Sequence, residues 1–468
     1  MHDSHPELKA AFDSACDFLD HLDDMPVAPR ISLDELRSRF QRPLPENGAT
    51  PESVVNDIAT RGRDGVMGST TGRFFAFVIG GTLPAALAAD WVTSAWDMNA
   101  AMYTPGPVAA VLEETAGTWL KELLAIPSES AFAFVTGAQM ANTTCLAAAR
   151  NAVLAQFGWD VESKGLIGAP DLHVLCPETR HGAVDRALRL LGIGSQRMTA
   201  VPCDRAGRVL EPAFRAALEK CGKVPIIVTL QAGDINTGEF DDFVRLIPIS
   251  KQHSAWVHID GAFGLWAAVS SKYRHFLKGA DAADSWCVDG HKWLNVPYDC
   301  GYSFVRNAQA LHNAMGMHAS YLVHSTTARD QIDWNPELSR RARGIPTYAA
   351  IRQLGRQGIV DLIERCCAHA SAIVERLSQL PRVEVLHWPV LNQGVVRFHH
   401  PNSTDESTHD TYTDRIIDAV AKSGEAYFSG TNFHGRRAMR ISVSNWRTSD
   451  SDVDRAITAF AKALNTIR

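Results

Sequence analysis

Two short stretches hold residues whose types and spacing suit covalent chemistry. The first, Trp256-Val257-His258-Ile259-Asp260-Gly261-Ala262-Phe263, ends a β-rich run with a carboxylate. The second, Asp284-Ser285-Trp286-Cys287-Val288-Asp289-Gly290-His291-Lys292-Trp293-Leu294, ends another such run with Asp289, His291 and Lys292. An acid at the carboxyl end of a buried strand lies where the loops of an open α/β sheet form a ligand crevice. A lysine flanked by His291 and Trp293 is expected in an apolar setting, which disfavours the ammonium form and leaves an amine able to form a Schiff base. Asp260 is then placed to act and Lys292 to serve as a nucleophile. The same residues also admit a plain structural account, with Asp260 capping a helix and Lys292 on the surface beyond a strand.

Three further pieces fall at strand ends. Thr136-Gly137-Ala138-Gln139-Met140-Ala141-Asn142 spans a strand-to-helix junction, where free backbone N–H groups and the helix dipole suit a phosphate. His181, in Thr179-Arg180-His181-Gly182, opens the helix after the next strand, a place where a lone histidine is commonly a cap or a core residue. Gln231-Ala232-Gly233-Asp234-Ile235-Asn236-Thr237-Gly238 ends the strand before the one bearing Asp260, and its glycines suggest close approach of backbone to a ligand. Motifs of other chemistries are missing. There is no Walker loop, no HExxH and no CxxC pair, and Gly192-Ile193-Gly194 does not complete a dinucleotide fingerprint. None of the eighteen histidines pairs at a ligand spacing with Cys or carboxylate neighbours, so no metal site is expected.

The elements that must position these residues follow from periodicity. From residue 131, short apolar runs at 131–136, 172–176, 198–201, 225–230, 255–259, 285–288 and 301–305 alternate with helix-like stretches such as 140–156 and 183–191. Continuously apolar strands separated by helices predict a mostly parallel seven-stranded sheet with helices on both faces, an α/β fold. After Pro346 a long helical stretch (349–380), strand candidates 383–386, 394–398 and 439–444, and a helix from Ser451 predict a small C-terminal α+β domain. The amphipathic stretches 6–22 and 33–40, separated by proline-rich pieces 25–29 and 42–51, cannot bury themselves and are expected to lie on the main body or on a second subunit. The expected division is residues 1–85, 86–346 and 347–468.

Composition narrows the function class. With 468 residues, 46% hydrophobic and 21% charged, the chain is a globular protein of two or three domains. A net charge of −6 without a basic block argues against nucleic acid. Nine cysteines, an odd number spread along a long chain, point to a reducing compartment. The first ten residues lack the apolar core of a signal peptide. The longest uncharged run, 130–149, reaches the ~20 residues of a spanning helix but is polar in its middle. A cytoplasmic protein without membrane contact is expected.

In combination these stretches resemble the pyridoxal-phosphate-dependent amino-acid decarboxylases of the aromatic-amino-acid and glutamate decarboxylase group, which have the aspartate-aminotransferase fold (fold type I). The resemblance runs from about Pro26 to the C-terminus. It includes residues 72–77, Pro105, Leu112-Glu113, Trp119 and the terminal Met439-Arg440-Ile441-Ser442-Val443-Ser444-Asn445-Trp446-Arg447-Thr448. It implies that Lys292 is the Schiff-base lysine, Asp260 the partner of the pyridine nitrogen, Ala262 the small residue beneath the ring and His181 the imidazole over it. Ala138, Gln139 and His291 match the phosphate-side residues, and Asp289 joins the cofactor contacts. Two departures stand out. The family's Gly-Thr-Thr turn is here Gly233-Asp234-Ile235, so its hydroxyl contact is missing or replaced by Asp234 or Asn236. The family's mobile-loop tyrosine has no counterpart in the stretch 325–337, which carries Trp334; Tyr321 lies just before it and is the nearest candidate catalytic tyrosine.

The resemblance implies decarboxylation of an L-amino acid to the amine, by a homodimer with its site near the subunit boundary. Alternatives are an aldehyde-forming decarboxylative deaminase or an aminotransferase, favoured by the missing loop tyrosine, and a catalytically silent pyridoxal-phosphate-binding protein. Phe74, Phe77, Trp91 and Trp96 are candidates for aromatic substrate walls or for core.

Overall fold

Each of the seven apolar runs forms a strand of one sheet: β1 (Ala131–Val135), β2 (His173–Pro177), β3 (Met198–Val201), β4 (Ile226–Gln231), β5 (Trp256–Asp260), β6 (Ser285–Asp289) and β7 (Gly301–Val305). The computed structural model describes residues 4–317, 324–325 and 327–467; Tyr321 and Thr326 lie outside the described residues. The strand order is β1-β7-β6-β5-β4-β2-β3. Strands β2 to β6 pair in parallel, whereas β7 runs antiparallel to both β6 and β1. Two reversals cancel, so β1 ends at the same edge as the others. That edge gathers the ends of β1, β2, β4, β5 and β6.

Along β4 the pleat sends Ile226, Val228 and Leu230 into one core cluster and Ile227 into another, because helices cover both faces. The helix Ala138–Ala155 packs against β5, β6 and β7 on the second face. A smaller antiparallel sheet has the order β10-β11-β9-β8, from β8 (Val383–His387), β9 (Gln393–Phe398), β10 (Ser429–Phe433) and β11 (Arg436–Ser442). The helices Gly344–Ser378, Glu406–Ser423 and Asp450–Thr466 pack against these strands or against each other, and the first changes direction at Gly355. The expected α/β sheet and small α+β unit are both present.

Three differences share one cause. Periodicity did not predict the helices Pro51–Gly62, Pro84–Trp96 and Pro107–Leu123. Each begins with proline, which reads as a linker residue but fits the first helical turn, where its missing N–H costs nothing. A fourth difference is β10, whose Ser-Gly-Thr-Asn sequence is poor in strand formers and whose edge position rests on pairing with β11. The N-terminal helices Pro6–Asp20, Leu33–Phe40 and Pro51–Gly62 contain no buried residue. Behind them the buried Arg73 guanidinium donates to the carbonyls of Asp23, Met25, Gly424 and Glu425, tying the chain after the first helix to the small unit.

Candidate active site

At the carboxyl edge of the large sheet, the loops after β1, β2, β4, β5 and β6 enclose a cavity of about 570 Å³, a size ordinary for a cofactor site. Ala138, Gln139, His181, Asp260, Ala262, Asp289, His291 and Lys292 all line it. The structure thus brings these eight residues to one cavity; Tyr321 lies outside the described residues.

Asp260 is the last residue of β5, and its carboxylate accepts hydrogen bonds from Asn142 Nδ2 (3.1 Å), the Ala262 amide (3.2 Å) and Cys287 Sγ (3.4 Å). It caps no helix, so the plain structural account of it fails. Asn142 sits one turn into the helix after β1 and also holds the buried His258, two residues before Asp260 on the same side of β5. Neither His258 nor Asn142 was assigned a role from sequence. The period-two spacing of His258 from Asp260 was the available signal.

Lys292 follows β6 in a tight turn, where the amides of Gly290 and His291 both donate to the Cys300 carbonyl. Its setting differs from the expected apolar wall. Trp293 turns wholly into the core, while Lys292 Nζ meets Asp289 Oδ2 at 3.0 Å and lies 6.0 Å from the Phe263 ring. Asp289 Oδ1 takes the Ala138 amide hydrogen at the start of the helix (2.5 Å). His291 stacks on Tyr298, and its Nδ1 accepts from the Cys300 amide (3.1 Å), which leaves the hydrogen on Nε2, 3.3 Å from Asp289. Burial, and secondarily Lys292, holds its pKa below the ordinary histidine value, the Asp289 carboxylate opposing.

Gly137 is required by packing: a Cβ there would come within 2.9 Å of the His291 ring. His181 is the N-cap of the helix Gly182–Leu190, with Nδ1 accepting from the Ala183 amide (3.1 Å), and it also faces the cavity. One side chain thus both caps the helix and lines the cavity. Burial lowers its pKa, as do Lys292 and Arg440, against the opposing pull of Asp260. Arg440, on β11 of the small sheet, has a buried Nε with no partner among the described residues; its sequence motif alone assigns it no role.

The turn after β4 departs from expectation. Asp234 Oδ1 accepts from the amides of Asn236 and Thr237, and Asn236 Oδ1 accepts from Thr431 Oγ1. Asp234 Oδ1 and Asn236 Oδ1 are spent on structure, Asp234 Oδ2 is buried without a partner among the described residues, and Ile235 lines the cavity instead. Gly233 has φ +96°, and a Cβ there would meet the Phe263 ring at 2.8 Å, so the turn itself demands glycine. Of the four candidate aromatic walls, Phe74 is core, Phe77, Trp91 and Trp96 are exposed, and none lines this cavity.

A nucleophilic amine, an anion held by donors, and a helix N-terminus meet in one pocket. Gln139 also lines it, and its buried Nε2 has no partner among the described residues, a donor left for an anionic ligand. These groups fit pyridoxal phosphate, and the architecture is that of the fold type I enzymes that carry it. Comparison with known proteins agrees. The model of the pyridoxal-dependent decarboxylase conserved domain matches residues 34–400. An aromatic-L-amino-acid decarboxylase of Bacillus atrophaeus is 28% identical over 453 residues, covering 95% of this chain and 92% of the relative. A 4-hydroxyphenylacetaldehyde synthase of Rhodiola rosea is 25% identical over 460 residues, covering 96% and 92%. The crystal structure of Oryza sativa TDC with PLP and tryptamine superposes with a TM-score of 0.92 at 22% identity, covering 99% of this chain and 98% of that one.

The chain belongs to the pyridoxal-dependent decarboxylase family. Its cofactor is pyridoxal phosphate and its chemistry is that of an amino-acid carboxy-lyase.

Proposed function

We propose that this chain converts an L-amino acid to its amine and CO2, with Lys292, Asp260 and His181 as the groups that touch cofactor and substrate. The observation that carries the reading is the convergence of Lys292 and the donor-held Asp260 in one cavity with the unpartnered Gln139 amide. Pyridoxal phosphate, when bound, supplies an aldehyde that captures amines and a ring that accepts the electron pair released as a carboxylate departs. Lys292 offers the primary amine. Asp260 holds a proton at the ring nitrogen through a charge-assisted hydrogen bond, roughly 1.5–3 kcal/mol net. His181, across the cavity, limits tilting of the ring and so selects which bond at the substrate's α-carbon breaks. Gln139 and His291 would serve the phosphate through an amide and the Nε2 hydrogen, and Ala138 would do so at the helix N-terminus where its amide is released from Asp289. Asp289 counters Lys292. A silent binding protein would need neither a nucleophile nor an electron-sink anion.

One named relative is an aromatic-L-amino-acid decarboxylase, so aromatic amino acids are the first substrates to try. The stretch 325–337 has no tyrosine, and one relative is an aldehyde synthase, which supports aldehyde formation as the second reading. The proposed division is 1–85, 86–346 and 347–468, with the first part packing on a partner subunit of a homodimer. Nine free thiols support a reducing, cytoplasmic setting, and among the described residues no helix is long and apolar enough to cross a membrane.

Borohydride reduction of the holoenzyme followed by peptide mapping is expected to leave the pyridoxyl label on Lys292; a label on another lysine removes the assignment. Incubation with the twenty amino acids, measuring CO2 and product mass together, is expected to give amine and CO2 in equal amounts. If Tyr321 or His181 delivers the final proton, its replacement by Phe raises the ratio of aldehyde to amine, because general acid catalysis typically contributes about a hundred- to ten-thousand-fold.

A further inference from the structure

Asp260 receives hydrogen bonds through a chain whose direction is fixed by its two ends. The Ala138 carbonyl oxygen can only accept, so the Asn142 atom 2.9 Å from it is the amide nitrogen. That nitrogen also donates to Asp260 Oδ2, which leaves Asn142 Oδ1 facing His258 Nε2 at 2.8 Å. His258 Nε2 therefore carries a hydrogen. At the far end the Trp256 indole, a donor with no acceptor capacity, points at Ser285 Oγ at 2.9 Å. Ser285 Oγ lies 3.0 Å from His258 Nδ1 and delivers its own hydrogen there. The imidazole is neutral, since complete burial pushes its pKa down to about 4. Asn142, His258 and Ser285 are wholly buried.

We propose that Asn142 and His258 are positioning residues that keep Asp260 an aimed anion, and thereby decide whether the shared proton rests on the cofactor's ring nitrogen or on Asp260. The inference deepens the reading of Asp260 given above and rests on it. At each link from Trp256 through Ser285, His258 and Asn142 one polar hydrogen points toward the carboxylate, the second Asn142 amide hydrogen going to the Ala138 carbonyl, and each link polarises the next. The Ala262 amide and the Cys287 thiol add two more donors on Oδ1. Hydrogen bonds to the charged form of an acid favour that form. Without the chain, Asp260 becomes more basic and the proton moves from ring nitrogen to carboxylate, which empties the electron sink. The other titratable groups around Asp260 are the Cys145 and Cys287 thiols, which burial pushes up and keeps neutral, and His181, Lys292 and Asp289, which line the same cavity.

The test is the 15N chemical shift of pyridoxal phosphate labelled at its ring nitrogen, read in holoenzyme between pH 6 and 9. Wild type is expected at the pyridinium position. Asn142→Ala and His258→Phe, at full cofactor content and unchanged circular dichroism, are expected to move toward neutral pyridine, by about tenfold in the protonated-to-unprotonated ratio, one pH unit of acid strength. Ser285→Ala, which removes only the outer link, is expected to move it less in the same direction. Wild-type shifts in Asn142→Ala and Ser285→Ala overturn the proposal even if His258→Phe does not fold. Asp260→Asn separates the two levels. A changed shift there with unchanged shifts in the chain variants defeats this inference alone, whereas an unchanged shift in Asp260→Asn defeats the pairing of Asp260 with the ring.

Discussion

Asp289 is the site residue whose charge is least compatible with a phosphate. Its Oδ1 takes the Ala138 amide, the donor that a phosphate oxygen would otherwise meet at the helix N-terminus, and its Oδ2 holds Lys292. Asparagine has the same shape without the charge and can still accept from the Ala138 amide. Asp289→Asn is therefore expected to tighten pyridoxal phosphate binding at neutral pH by about tenfold, a small part of the Coulomb energy of two close anions. Pyridoxal without its phosphate is expected to bind the two proteins nearly equally. Equilibrium titration with both ligands checks this, and equal phosphate-form affinities would remove the argument.

Between elements, the clearest tie near the site is the ion pair of Glu113 and Arg340. Glu113 lies on the helix Pro107–Leu123 and Arg340 just before the helix Gly344–Ser378; their side chains are fully buried and meet at 2.8 Å. Arg340 also donates to the carbonyls of Ala100 and Phe134, the latter in β1 three residues before Gly137. Breaking one partner of a buried pair leaves an uncompensated charge, which costs about 3–5 kcal/mol. Glu113→Ala is expected to lower stability by that amount in urea unfolding, and Glu113→Gln, which keeps an acceptor, by less. A loss under about 1 kcal/mol for the alanine variant would contradict the account. The sequence named Glu113 only within a resembling stretch, because its partner lies 227 residues away.

For the whole molecule, three N-terminal helices that bury nothing and the exposed Phe77, Trp91, Val92 and Trp96 are the physical grounds for the proposed dimer. Sedimentation is expected to give twice the chain mass; a fully active monomer would refute it. Acid stability follows from His258. Its pKa is about 4 when folded against an ordinary value of 6.5, so the unfolded chain binds the proton first. The stability this contributes is present above pH 6.5 and lost as pH falls toward 4, about 3 kcal/mol in all. Asp241 works in the opposite sense, burial pushing it up to about 7, so the comparison must isolate one residue. The stability difference between wild type and His258→Phe, from urea unfolding at pH 7 and pH 4.5, is expected to shift against wild type at the lower pH.

The sequence by itself determined the seven strands, their alternation with helices and the residues at their carboxyl ends, because an apolar run with a polar end is a local pattern. It likewise put Lys292, Asp260 and His181 at or just beyond such ends, and all three line one cavity. Tertiary structure alone decided the rest. That Lys292 meets Asp289 instead of an apolar wall depends on which way one tight turn points Trp293. That Asn236 is held away from the cavity, with Ile235 left to line it, depends on its contact with Thr431 of the small sheet. That Asn142 joins His258 to Asp260 depends on a helix from the first strand lying across the fifth. The contacts of Asn142 and Asn236 join residues over a hundred positions apart, and a hydrogen bond's direction exists only once both partners are in place.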